Sequence, residues 1–160
     1  MEKNNQNSID IKDNLKISQQ KISHMHGVAE YMYLNADKYR LNKEEMYILG
    51  LLHDIGYLNG KKHHPLYGGQ ILNNCGYSHS IYIYWHGSTP DEYKRAHSCS
   101  DKEIPKQLVL LWEADLSIGI TGENIGYEKR LEDIGNRYGL DSKAYRIAKE
   151  TIDWLLNQNK

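Results

Sequence analysis

Residues 43–58 read KEEMYILGLLHDIGYL. Wound as a helix, this stretch is apolar on almost every side, which predicts a central, buried helix. His53 and Asp54 interrupt its most apolar run. An unpaired buried carboxylate is costly, and the usual remedies are an ion pair or a metal ion. A plain His–Asp hydrogen bond is the other reading of the pair taken alone. Asn42 stands where an N-cap belongs, with Glu45 three residues on to complete a capping box.

Helical periodicity continues on both sides. Upstream, Ile22, Met25, Val28, Ala29, Met32, Ala36 and Tyr39 recur at three- and four-residue steps. Downstream, NGKKHH is a loop, and Pro65 opens a helix, PLYGGQILNN, that stops near Gly76. A further helix runs from Ser78 to Gly87. Residues 88–103, STPDEYKRAHSCSDKE, read as a loop with a short helical turn. A strong helix is expected from Ile104 to Ile118. Two more follow at 127–138 and 142–158, separated by Gly139-Leu140-Asp141. No segment alternates with the period of a strand. The prediction is an all-α single compact bundle of about six or seven helices over residues 14–158, after a polar, Asn-rich tail at 1–13.

Composition agrees with one domain. The chain has 160 residues, 39% of them hydrophobic, and a net charge of −1, a balance that argues against bulk nucleic-acid binding. No run of about 18 apolar residues predicts a membrane span, and the polar N-terminus lacks the apolar segment of a signal peptide. Two cysteines, Cys75 and Cys99, fit neither a disulfide framework nor a zinc finger, so a reducing cytoplasm is expected. Phe is absent, Tyr occurs 13 times and His 8 times. Tyr is therefore expected to do the aromatic packing, and each histidine calls for tracing.

On the helix beginning at Ile104, one face carries Ile104, Leu108, Leu111, Trp112 and Ile118. Asp115 falls inside that face, and Glu113 falls opposite it with Lys106 and Ser117. Asp115 is thus expected to point inward and Glu113 outward. In the first helix, His24 and His26 flank the apolar stripe on opposite sides, and periodicity does not choose between them. His64 stands at a helix start and His86 at a helix end. Four histidines and two aspartates suffice for two cations, and this donor set suits Fe, Mn, Zn, Co or Mg.

The order of these residues resembles the HD-domain metal-dependent phosphohydrolases: a His, an adjacent His-Asp pair about thirty residues on, and a later Asp. Here it reads His24-Met-His-Gly-Val28-Ala, then Leu-Leu-His53-Asp54-Ile-Gly, then Leu-Trp-Glu-Ala-Asp115. The family's first histidine sits four residues before a Val-Ala pair, which selects His24 over His26. His64-Pro65-Leu-Tyr-Gly68 and His86-Gly87 resemble segments of members that hold a second metal. The resemblance spans residues 20 to 118 and implies metals held between helices. Two departures stand out. Tyr57 follows the His-Asp-Ile-Gly motif where members often carry Lys. The stretch Trp85-His86-Gly87-Ser88-Thr89-Pro90 lacks the Gly-Tyr-Pro motif of the cyclic-di-GMP branch. The short chain looks more like the branch that hydrolyses dinucleoside polyphosphates.

The resemblance implies hydrolysis of a phosphoester or phosphoanhydride bond of a nucleotide by metal-activated water. Two divalent ions, Fe or Mn first, would be bridged by Asp54. His24, His53 and Asp115 would complete one site and His64 and His86 the other, with His53 and Asp54 central to catalysis. Lys61, Lys62, Lys94, Arg95 and Arg130 are candidates for substrate phosphate contacts, with Arg137 beside them. Tyr82, Tyr84 and Trp85 are candidates to stack on a base. The expected partner is a small phosphorylated molecule rather than nucleic acid or membrane, and a homodimer is compatible with the reading. Two alternatives stay open: a mixed-valent diiron oxygenase of the same fold, and a non-catalytic nucleotide-binding HD domain.

Overall fold

Ser18 caps the first helix with its hydroxyl, which accepts from the Lys21 N–H. This helix, α1, runs Gln19–Asn35 and buries His24, Met25, Gly27, Val28, Ala29 and Met32. The computed structural model describes residues 17–60, 62–158 and 160. The tail expected at 1–13 and the candidate Lys61 lie outside the described residues. After a 3-10 turn at Ala36–Tyr39 come α2 (Lys43–Leu52), a 3-10 turn at Ile55–Asn59, α3 (His64–Asn74) and α4 (Ser80–Trp85). Then follow α5 (Pro90–His97), a short 3-10 turn, α6 (Lys106–Asp115), α7 (Gly126–Tyr138) and α8 (Lys143–Gln158). The fold is all-α, as expected, with eight α-helices among the described residues rather than six or seven. No helix among them is long and apolar enough to cross a membrane.

The additional helix is α5. It occupies the segment that reads as a loop, and its start signal is a full capping box. Thr89 Oγ1 accepts from the Glu92 N–H, and the Glu92 carboxylate accepts from the Thr89 N–H. Pro90 follows at the first turn, where its missing N–H costs nothing.

The helix expected through 43–58 ends earlier, at Leu52. His53 is its C-cap, and the imidazole Nδ1–H donates to the Gly50 carbonyl at 2.7 Å. The backbone N–H of His53 also turns to that carbonyl, three residues back rather than four. The tightened turn feeds the 3-10 segment, so Asp54 and its neighbours leave the α-helical path. Nor is α2 buried on every side, since Ile48 is 45% exposed.

The central position belongs to α6. One hydrophobic core joins α1, α2, α3 and α4 to Leu110, Leu111 and Ala114 of α6. A second joins α5, α7 and α8 to Leu108, Val109 and Trp112 of the same helix. With protein on both sides, every residue from Leu108 to Ala114 is buried. That overturns the expected outward placement of Glu113. Its carboxylate is buried and accepts from Lys38 Nζ at 2.9 Å and from the Tyr39 hydroxyl. Wheel arithmetic separates inside from outside only when one face meets water, and from Leu108 to Ala114 α6 has no such face.

Candidate metal centre

Six side chains from five places in the chain converge where α1, α2, α3, α4 and α6 meet. His24 projects from α1 and is 2% exposed, whereas His26 faces solvent, so burial selects the same histidine as the family pattern. The paired His53 and Asp54 leave the end of α2, and both are buried. His64 opens α3 after His63 turns the chain in the left-handed region at φ 59°. His86 caps the end of α4, and its carbonyl accepts from the Trp112 indole N–H at 3.1 Å, which ties it to α6. Asp115 ends α6.

The two oxygens of Asp54 look in different directions. Oδ2 lies 3.3 Å from His53 Nε2 and 4.0 Å from His24 Nε2. Oδ1 lies 3.2 Å from His64 Nε2 and 3.5 Å from His86 Nε2. Asp115 Oδ1 completes the first half, 2.9 Å from His24 Nε2 and 3.6 Å from His53 Nε2. Two groups of donor atoms, each within 4.8 Å of one another, could hold an ion: His24, His53 and Asp115, and His53, Asp54 and His86. His53 thus belongs to both groups, where one group was expected, and His64 reaches the second through Asp54.

The histidine tautomers favour ligation. Nδ1 of His24, His53 and His86 donates to the carbonyl of Gly119, Gly50 and Ile83, respectively. That fixes the proton of each neutral ring on Nδ1, so that Nε2, once it gives up its own proton, aims a lone pair at the centre. A ring N–H held by a backbone carbonyl is the usual support of a metal-binding histidine. Nε2 of His53 and of His86 is buried with no hydrogen-bond partner among the described residues. Orphaned buried nitrogens are costly, and a cation satisfies them. The residues present therefore fit a divalent ion.

Charge agrees. Burial opposes ionisation of Asp54 and Asp115, but neighbouring histidines outweigh it and hold both carboxyls well below the usual range. Burial likewise opposes a charged His53, and the two carboxylates reverse that and push it up to about 10. At His64 burial prevails over Asp54 and lowers the pKa. The centre thus draws positive charge, and a proton on His53 supplies it where no metal does.

A cleft of about 1080 Å³ opens onto these residues. Lys62 and Arg130, both expected at the substrate, line it, as do Tyr84 and Trp85. Arg130 also supports the fold: its Nε–H donates to the Asp115 carbonyl at 3.1 Å and its Nη1 meets Asp133 at 3.1 Å. Lys94 and Arg95 do not reach the site, which corrects their assignment. They line a separate shallow cleft with Asp91 and Cys99, and Lys94 pairs with Asp91 and Asp101. The reason is α5, whose winding turns both side chains away from the centre. Tyr82 packs into the hydrophobic cores instead of lining the cleft.

Lys21 is a residue of the centre that sequence reasoning misses. Its Nζ lies 3.1 Å from Asp54 Oδ2 and 4.2 Å from the centre of the Tyr57 ring. Tyr57 in turn stacks on His64 at 4.2 Å. The motif's departure at position 57 thus provides a ring under a cation rather than a cation itself. The available signal is spacing: Lys21 precedes His24 by three residues and shares its helix face.

No curated protein and no solved structure matches the chain significantly. One family model does. It covers His24, His53, Asp54, His64 and His86 and ends before Asp115, so over residues 22–98 the chain is similar to the HD domain.

Proposed function

We propose that this protein is a metal-dependent phosphohydrolase that holds two divalent ions, Fe or Mn, and acts on a phosphoester or phosphoanhydride bond of a small nucleotide, including dinucleoside polyphosphates. The observation that carries the reading is Asp54, whose two oxygens face two different sets of histidine Nε2 atoms. Divalent ions at such a centre lower the pKa of water to about 7 and neutralise phosphoryl oxygens. In hydrolysis the water oxygen bonds to phosphorus, the bond to the leaving oxygen breaks, and that oxygen departs with a proton. Lys21, on Tyr57 and beside Asp54, is positioned to meet a phosphoryl oxygen by a charge-assisted hydrogen bond. Lys62 and Arg130 add positive charge along the cleft, and the rings of Tyr84 and Trp85 offer apolar surface to a base. Free Cys75 and Cys99 support a cytoplasmic setting.

The test pairs elemental analysis with phosphate release across a nucleotide panel, in air and under argon. About two metal ions per chain and oxygen-independent release are expected. Turnover of an organophosphonate or polyol only in air, with no nucleotide hydrolysed, would replace this reading with the diiron oxygenase.

A further inference from the structure

The wall of the cleft carries further cations beyond the His/Asp centre. Among the described residues, Asp54 and Asp115 are its only acidic lining residues, and both are engaged with histidines. Part of its wall comes from α7 and α8, outside the segment that matches the HD domain. Arg137, next to last in α7, and Lys143, first in α8, flank the turn between them and line the cleft. Among the described residues Arg137 has one acidic partner, Asp133 at 3.7 Å, and that carboxylate also pairs with Arg130 at 3.1 Å. Lys143 has no ion-pair partner among the described residues. Away from the cleft, cations of the same helix are neutralised: Arg146 by Glu150 at 3.2 Å and Lys149 by Asp153 at 2.9 Å. An unpaired lysine beside an arginine that shares its carboxylate, both in a concave wall, focuses positive potential on whatever enters.

This turn shares the cleft with the His/Asp centre. Tyr138, beside Arg137, lines it together with Tyr57, whose ring stacks on His64. The volume of about 1080 Å³ exceeds the usual range of roughly 300–1,000 Å³ for ligand sites, so a molecule longer than one phosphate ester fits. An arginine fork and a lysine point charge together suit a phosphate group better than a single carboxylate.

We propose that Arg137 and Lys143 form a second anion subsite, so that the substrate carries one phosphoryl group at the His/Asp centre and another phosphate group at the α7–α8 turn. The connecting portion would meet Tyr138 and Ile147, which line the same cleft. The proposal rests on the phosphohydrolase reading of the centre.

The test is calorimetric titration of manganese-loaded protein under argon with two non-hydrolysable probes, hexylphosphonate and hexane-1,6-bisphosphonate. The bisphosphonate is expected to bind about tenfold tighter or better, the return from a second charge-assisted contact. Arg137→Ala/Lys143→Ala should erase that advantage, and Arg137→Gln/Lys143→Gln should do the same while preserving side-chain bulk. Lys129→Ala/Lys149→Ala should retain it. Equal affinity of the two probes for the wild type, with the monophosphonate bound, would overturn the subsite alone. So would an advantage that survives in the Gln variant. Binding of neither probe would overturn the reading of the centre as well.

Discussion

Gly56 presses against the carbonyl of His64 so closely that a Cβ at position 56 would stand 1.7 Å from the His64 oxygen. The same atom would lie 2.7 Å from the Gly68 nitrogen. The turn after the His-Asp pair and the start of α3 therefore touch backbone to backbone. That contact brings His64 Nε2 to 3.2 Å from Asp54 Oδ1. Gly56→Ala must push α3 away, at a cost of about 1–3 kcal/mol. It is expected to lower Tm and to lose one of two bound metals. His64→Ala should lose the same metal without the drop in Tm. A Gly56→Ala protein with wild-type Tm and full metal would contradict this account of how His64 is placed.

Glu113 and Asp115 stand two residues apart, and both face protein, yet they do different things. Asp115→Asn is expected to weaken metal binding, because it removes a charged donor from the His24–His53 group. Glu113→Ala should keep metal but destabilise the fold by about 1–3 kcal/mol, since it leaves Tyr39 without its acceptor. Lys38 is 46% exposed on its side chain and regains water, so little of the loss comes from that ion pair. Urea unfolding together with metal stoichiometry separates the two effects. Metal loss in Glu113→Ala at full folding would place that carboxylate in the centre after all.

Lys21→Met should retain both metals and lower kcat/KM for a phosphorylated substrate by about ten- to a hundredfold. That range corresponds to one hydrogen bond to a charged group, roughly 1.5–3 kcal/mol. Lys21→Arg should recover part of the loss. If Lys21→Met instead strips metal, the lysine supports Asp54 rather than the substrate.

A bound metal would compete with protons at this centre. Carboxyls held low contribute stability above their ordinary pKa of 3.8 and lose it as pH falls toward their folded values. His53 has the opposite sign: its contribution is full below its ordinary pKa of 6.5 and is lost as pH rises through about 10. His64, held low by burial, contributes stability above its ordinary pKa of 6.5 and loses it as pH falls, so chelator-treated protein is expected to melt highest near pH 6.5, with Tm falling on both sides. A metal ion replaces the His53 proton, so affinity should rise with pH over the alkaline limb. Melting curves from about pH 3 to 10, with and without manganese, check both statements. A metal-free Tm that climbs steadily from about pH 6.5 to 9 would show that His53 does not carry that proton.

Helix content is legible from the chain because each helix writes its own period and many write their own caps. Asn42 and Pro65 mark starts that the structure keeps. The Thr89–Glu92 capping box is equally local and equally readable, but a polar segment without an apolar stripe resembles a loop. The helix it forms carries Lys94 and Arg95 to another face of the molecule.

The ligand types and the all-α architecture were determined by the sequence itself, since burial of His53 and Asp54 in an apolar run is a property of neighbouring residues. Which donors meet was decided by tertiary structure. His24 and Asp115 are 91 residues apart, and only the packing of α1 on α6 brings them to 2.9 Å. Other helix contacts put Glu113 inside, brought Lys21 to Asp54 and left Arg137 and Lys143 lining the cleft. A helix period reports which residues share a side. It carries no information on what lies against that side, because that depends on surfaces contributed by distant parts of the chain.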